Sequence, residues 1–374
     1  MIYRQLTQQL KDNLFQNKAL VLLGPRQTGK TTLIRELVKE LNLPTLWLSG
    51  DDFNTREEFG IHSISHMRAI AGNHKLLVID EAQYIDNIGL SIKIFVDNIP
   101  DVQVIATGSS SFELLNVINE PLTGRKWEYQ LFPLSYKELH DHNGLINENG
   151  LLDQRMIFGC YPEVINNPGN ERDVLQMLTS SYLYKDLFIH QQLKKPQLVE
   201  KLVRALSFQV SNEVSYNELA QLVGADIQTI EKYIDLLEKA FIIFRLYSLS
   251  RNLRNEIKKS RKIYFYDNGI RNAVISNFSP LNSRDDVGAM WENYIVSERM
   301  KHTHYNKLYM NRYFWRTHAQ QEIDYLEEYD GQLNAYEIKW NPNKKVIFSK
   351  SFTKAYPNAS TQIINPKNFT DFLT

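Results

Sequence analysis

Apolar residues along the first third of the chain follow two alternating rhythms. Continuous runs at Ala19–Leu23, Thr45–Gly50, Lys75–Ile79 and Val102–Ala106 read as strands buried on both faces of a parallel sheet. Between them, apolar positions recur at helical spacing over Thr32–Leu41, residues 56–72 and residues 88–98. Leu6, Leu10, Leu14 and Phe15 keep the same spacing over residues 1–18, which predicts a helix packed on the edge of the first strand. Strand alternating with helix at these intervals predicts an α/β fold with a doubly wound parallel sheet and a site at the carboxyl ends of its strands.

The pattern then changes. Residues 136–200 are mostly helical in spacing, with one break at Phe158-Gly159-Cys160-Tyr161-Pro162-Glu163, a turn in which no chemistry is legible. Ser181-Tyr182-Leu183-Tyr184-Lys185-Asp186 falls on a later helix, where Lys185 and Asp186 are either subunit contacts or solvated charges. Ser215 caps a short helix over Tyr216–Val223, Gly224-Ala225 turns the chain, and Asp226 caps a second helix to about Ala240. With a hairpin expected over Phe241–Leu249, this predicts a winged helix-turn-helix. Gln228, Thr229, Glu231, Lys232 and Asp235 on its second helix are nearly balanced in charge, so a packing or hinge role stands ahead of base reading. A helix over 286–301 and strands near 307–317, 320–329 and 332–340 complete a mixed α/β region. The expected domains are 1–135, 136–200, 201–260 and 261–374.

Composition narrows this picture. A chain of 374 residues, 43% hydrophobic and 23% charged, is globular and too long for one core. The amino-terminal MIYRQLTQQLKDNLF is polar from the fourth residue on, and no apolar window approaches the ~18 residues of a membrane span, so neither a leader nor an anchor is expected. One cysteine, Cys160, excludes an internal disulfide framework and a cysteine-ligated zinc site, which suits a reducing cytoplasm. Lys and Arg total 43 against 43 Asp and Glu, so binding to nucleic acid would have to come from local patches. One such patch is the run containing Arg251, Arg254, Lys258, Lys259, Arg261 and Lys262, beside the winged helix.

Two segments carry candidate chemistry in the first region. Gly24-Pro25-Arg26-Gln27-Thr28-Gly29-Lys30-Thr31-Thr32 is G-x-x-x-x-G-K-[ST] between a strand and a helix. Backbone N–H groups of such a loop, with the following helix terminus, cradle the phosphates of ATP. Lys30 would reach the terminal phosphate, and Thr31 would ligate Mg²⁺ through its hydroxyl. The second segment is Lys75–Glu81, a buried run ending in two acids. Asp80 would hold the Mg²⁺ shell, and Glu81 would orient or deprotonate the attacking water.

The phosphate loop, the sequence Asp80-Glu81-Ala82-Gln83 and a strand ending Thr107-Gly108-Ser109-Ser110-Ser111 together resemble the AAA+ class of P-loop ATPases. The resemblance implies that Ser109 or Ser110 senses the γ-phosphate and helps to place the water. Leu122-Thr123-Gly124-Arg125 and the run ending Leu131-Phe132-Pro133-Leu134-Ser135 resemble a large prokaryotic family of predicted AAA+ ATPases. Members of that family carry a winged helix and a restriction-endonuclease-like domain after the ATPase. Arg125 is then the best arginine for a neighbour's γ-phosphate or a sensor role, with a plain surface arginine as the other reading, and a homo-oligomer is expected.

The last hundred residues hold a second pattern. Asp324 lies in Gln321-Glu322-Ile323-Asp324-Tyr325, and Glu337-Ile338-Lys339 lies on the next strand, with Glu337 and Lys339 on one face. Two carboxylates and a lysine on one face can bind Mg²⁺ and polarise a water for attack on a phosphodiester. The pattern resembles the PD-(D/E)XK nuclease core, with Glu292 matching an acid of its first helix. The whole chain therefore reads as a Mg²⁺-dependent ATPase acting on DNA with a C-terminal nuclease-like domain. The alternative is a nucleotide-driven switch that binds protein partners through an inactive nuclease-like domain, and transcriptional control stands third.

Overall fold

The structure, a computed structural model, describes residues 2–109, 118–180, 196–250, 260–317 and 319–374. Ser110, Lys185, Asp186, Arg251, Arg254, Lys258 and Lys259 lie outside the described residues. Two units are formed, one by Met1–Pro133 with Lys239–Phe241, the other by Leu134–Glu238 with Ile242–Thr374.

In the first unit the apolar runs become strands β1 (Ala19–Leu23), β2 (Thr45–Ser49), β3 (Leu76–Asp80) and β4 (Gln103–Gly108). A fifth, β5 (Lys126–Gln130), alternates polar and apolar residues as an edge strand does. The order is β2-β3-β4-β1-β5, and every neighbouring pair is parallel. Parallel pairing puts all carboxyl ends on one edge of the sheet. The segments after β1, β3 and β4 therefore emerge side by side, and these are the segments that carry Gly24, Glu81 and Ser109.

Helices Leu6–Asp12, Lys30–Leu41 and Ile88–Asn98 occupy the expected stretches. Residues 56–72 differ. They contain the end of one helix, Phe53–Phe59, and a second, Ile64–Ala71. The break follows from local capping, because the first helix ends at Gly60 and Ser63 accepts from His66 N to start the second.

The second unit is built around a six-stranded mixed sheet of order β11-β10-β9-β8-β6-β7. Its strands are β6 (Ile243–Ser248), β7 (Arg261–Phe265), β8 (Asn311–Arg316), β9 (Glu322–Tyr329), β10 (Gln332–Ile338) and β11 (Ser360–Ile364). Phe241–Leu249 is thus not a hairpin in itself. It supplies one strand, whose antiparallel partner is β7, and β6 also pairs in parallel with β8. A division at residue 260 falls between hydrogen-bonded neighbours of one sheet. Helices Tyr216–Val223 and Ile227–Lys239 form where the caps place them.

The turn at Phe158–Glu163 has a structural job. The Asp267 carboxylate accepts from Cys160 N at 2.7 Å, and a Cβ at Gly159 would lie 1.9 Å from Asp267 Oδ1. Only glycine permits that approach. Among the described residues, no helix is long and apolar enough to cross a membrane.

Candidate functional sites

Glycine shapes the loop after β1. A Cβ on Gly24 would meet Leu131 O at 2.1 Å, and Gly29 caps the helix Lys30–Leu41 at φ +91°. Arg4, 5% exposed, ties the loop to the chain after β5 by donating to Thr28 O and Phe132 O, each at 2.6 Å. Thr28 Oγ1 closes the turn on Pro25 O at 2.8 Å, and Arg26 Nη2 donates to Tyr84 Oη at 2.8 Å. Lys30 opens the helix, and its ammonium folds back on Gly24 O and Pro25 O, both at 2.8 Å. Gln27 takes a left-handed backbone within the loop, and Thr32 is exposed one turn into the helix.

Three elements meet at Asp80. Thr31 Oγ1 donates to Asp80 Oδ2 at 2.9 Å, and Thr107 Oγ1 donates to Asp80 Oδ1. Thr107 Oγ1 also accepts from Glu81 N at 3.2 Å, so one β4 hydroxyl holds the Asp80 carboxylate and the Glu81 backbone. Glu81 has a left-handed backbone, φ +51°, uncommon for a residue with a side chain. Its Oε2 accepts from Gln83 Nε2 at 2.5 Å, and the same amide donates to Ser109 Oγ at 3.1 Å. A hydroxyl facing a carboxylate is a hard oxygen pair of the kind Mg²⁺ takes, and a buried ammonium inside a glycine-bounded loop suits phosphate oxygens. The residues present therefore fit ATP with Mg²⁺.

Arg125 stands apart. Ala19 N donates to Arg125 O at 2.9 Å, which places Arg125 at the amino end of β1, one strand length (~16 Å) from its own loop. Its Nε pairs with Asp97 Oδ1 at 2.7 Å, and its side chain is 39% exposed. A sensor role within its own chain does not fit that position, whereas a surface ion pair does.

In the second unit, β9 and β10 bring the expected acids together. Asp324 Oδ2 accepts from Ile338 N at 2.8 Å and from Lys339 Nζ at 2.6 Å, and Lys339 Nζ lies 2.7 Å from Glu337 Oε2. Glu292, on the helix Val287–Tyr305, accepts from Lys262 Nζ at 2.9 Å and from Tyr264 Oη at 2.7 Å. Lys262 also pairs with Glu322 at 2.5 Å. Burial pushes the Glu292 carboxyl up to about 7, although Lys262 pulls the other way. Burial, reinforced by the Asp324 charge, pushes Glu337 up to about 7. Burial opposes the Lys262 ammonium, but Glu292, Asp324 and Glu322 hold it above its ordinary value. Among the described residues no three His, Cys, Asp or Glu side chains group as a metal cage, so Asp324 and Glu337 stand as a pair.

Lys262 corrects the expected basic patch. It is 1% exposed and locked among acids, while Arg261 lies 3.9 Å over the Tyr216 ring. Consecutive residues on β7 face opposite sides of the sheet, so these two cations cannot belong to one surface. Sequence reading missed Thr107, Gln83, Lys262, Tyr264 and Arg4 as members of these sites. Their only signal was polarity within apolar runs or beside a motif.

Residues 16–140 match the AAA domain family. Residues 149–281 and 287–371 match two domains of unknown function, DUF8612 and DUF4143. The six-stranded sheet runs through both of the latter matches. An uncharacterized protein of Mycobacterium tuberculosis is 25% identical over 341 residues, covering 90% of this chain and 73% of that protein. An uncharacterized protein of Methanocaldococcus jannaschii is 23% identical over 385 residues, covering 96% and 83%. Among solved structures, the Walker-type ATPase of Pyrococcus abyssi is similar at TM-score 0.49 and 15% identity, covering 74% of this chain and 96% of that one. The match to the AAA domain family thus falls on the part of the chain that holds the phosphate loop and the Asp80-Glu81 pair.

Proposed function

We propose that the chain is a Mg²⁺-dependent ATPase whose hydrolysis serves work on DNA by the second unit. The observation that carries the ATPase reading is the convergence of Lys30, Thr31, Asp80 and Glu81 at one sheet edge. Lys30 and the loop N–H groups hold the terminal phosphates, and Thr31 and Asp80 hold the metal. Mg²⁺, when bound there, neutralises charge on the phosphates. Glu81 takes one proton from water as the water oxygen attacks the terminal phosphorus. The bond from that phosphorus to the bridging oxygen breaks, releasing ADP and phosphate. Completion of the site by an arginine from a second copy fits the placement of Arg125 away from its own loop, and a homo-oligomer follows from that reading.

Work on DNA is supported by the convergence of Asp324, Glu337 and Lys339, the composition of a phosphodiester-cleaving site. A partner-binding switch is the second reading. It is favoured by the way Lys339 and Lys262 already engage the acids around them. Phosphate release measured in Mg²⁺ with and without double-stranded DNA, followed by a gel of the DNA, separates the two. Turnover stimulated by DNA, with cleavage lost in Asp324→Ala, supports DNA work. Turnover indifferent to intact DNA supports the switch, and absence of turnover that Glu81→Gln could abolish removes the ATPase reading.

A further inference from the structure

Gln83 does two things that no motif assigns to it. Its Nε2 donates to Glu81 Oε2 at 2.5 Å and to Ser109 Oγ at 3.1 Å, while its Oε1 is buried with no donor among the described residues. The amide orientation is fixed by chemistry, since an ionised carboxylate can only accept and so must face the NH₂. A buried acceptor without a donor is costly and asks for an explanation. Gln83 sits on the short turn Ala82–Tyr84 directly after Glu81, whose left-handed backbone starts that turn.

We infer that Gln83 is the positioning residue for Glu81, holding one carboxylate oxygen so that the other faces the attacking water, and linking Glu81 to Ser109 at the end of β4. This rests on the ATPase reading above and adds to it a residue through which phosphate contact at Ser109 is transmitted to the base. Gln83 takes no proton itself, and the proton balance of hydrolysis is unchanged.

The test is steady-state phosphate release across pH 5.5 to 9, with nucleotide affinity measured by a fluorescent ATP analogue, on wild type, Glu81→Gln, Gln83→Met and Gln83→Glu. Gln83→Met keeps the volume and removes both donors. It is expected to lower kcat on the order of 10²-fold with affinity within about threefold, as loss of a site-orienting hydrogen bond does. Gln83→Glu sets a second carboxylate against Glu81 and is expected to move the acid limb of the kcat profile up by about one pH unit or more. Wild-type turnover that Glu81→Gln abolishes but Gln83→Met leaves within about twofold overturns this inference alone. The same holds if Gln83→Met weakens binding and spares kcat, or if the Gln83→Glu profile is unshifted. A wild type without turnover overturns the ATPase reading and this one together.

Discussion

The chain carries two charged centres of opposite design. At the phosphate loop, Lys30 donates to the carbonyls of Gly24 and Pro25 and Asp80 accepts from two hydroxyls, and a polyanion and a cation can replace these neutral partners. In the second unit, Lys262 and Lys339 are engaged by Glu292, Glu322, Asp324 and Glu337. Neutral partners keep a charge in place at little cost when a ligand takes over, because nothing is left with an unpaired ion. Ionic partners tie charge to the fold, because removing one member strands the other in a medium that solvates it poorly. The first centre holds its charges through neutral groups, the second through ion pairs.

The largest expected contrast follows from removing a lysine from each. Lys30→Ala should abolish nucleotide binding while costing only about 1 kcal/mol of stability, the net worth of a typical hydrogen bond. Lys262→Met should destabilise by about 3 kcal/mol at pH 8, within the range for stranding a buried acid. Binding titrations and urea melts of both variants check the pair. Equal stability losses would erase the difference between the two centres.

A smaller effect sharpens the comparison through pH. Glu292 has its folded pKa raised above the unfolded value, so its stabilising neutral form is present at low pH. That contribution is lost as pH rises from the ordinary carboxyl value of 4.5 through about 7. Glu292→Gln should therefore flatten the decline in Tm between pH 5 and pH 8, measured in EDTA to keep the acids metal-free. A parallel decline in the variant would place the titration elsewhere. The smallest effect belongs to Arg125→Ala, expected to cost about 0.2–1 kcal/mol, as exposed ion pairs do. If it also lowers ATPase activity per chain steeply with affinity intact, the arginine works in a neighbour's site.

Much of the first unit was legible because its signals are local. A glycine-bounded loop before a lysine, or an apolar run closing on two acids, needs only a few consecutive residues to announce itself, and the parallel sheet made neighbours of Gly24, Asp80 and Ser109 as the βα rhythm required. Residues 56–72 were misread as one helix because apolar spacing persists across the end of the first helix at Gly60 and the cap at Ser63. The pair Asp324 and Lys339 was also legible, since a hairpin with short connections leaves little choice of register.

By itself, then, the sequence determined the strand–helix alternation, the phosphate loop, the Asp80-Glu81 pair and the hairpin that joins Asp324 to Lys339. Tertiary structure alone decided that β6 and β7 extend the C-terminal sheet, that Lys262 turns inward to Glu292 and Glu322, that Arg125 lies at the far end of its sheet, and that Gln83 bridges Glu81 to Ser109. The reason is common to all four. Local periodicity and capping fix what a segment becomes. Which segments pair, and which face of a strand meets which acid, is settled by non-local hydrogen bonds and by charges seeking partners out of water.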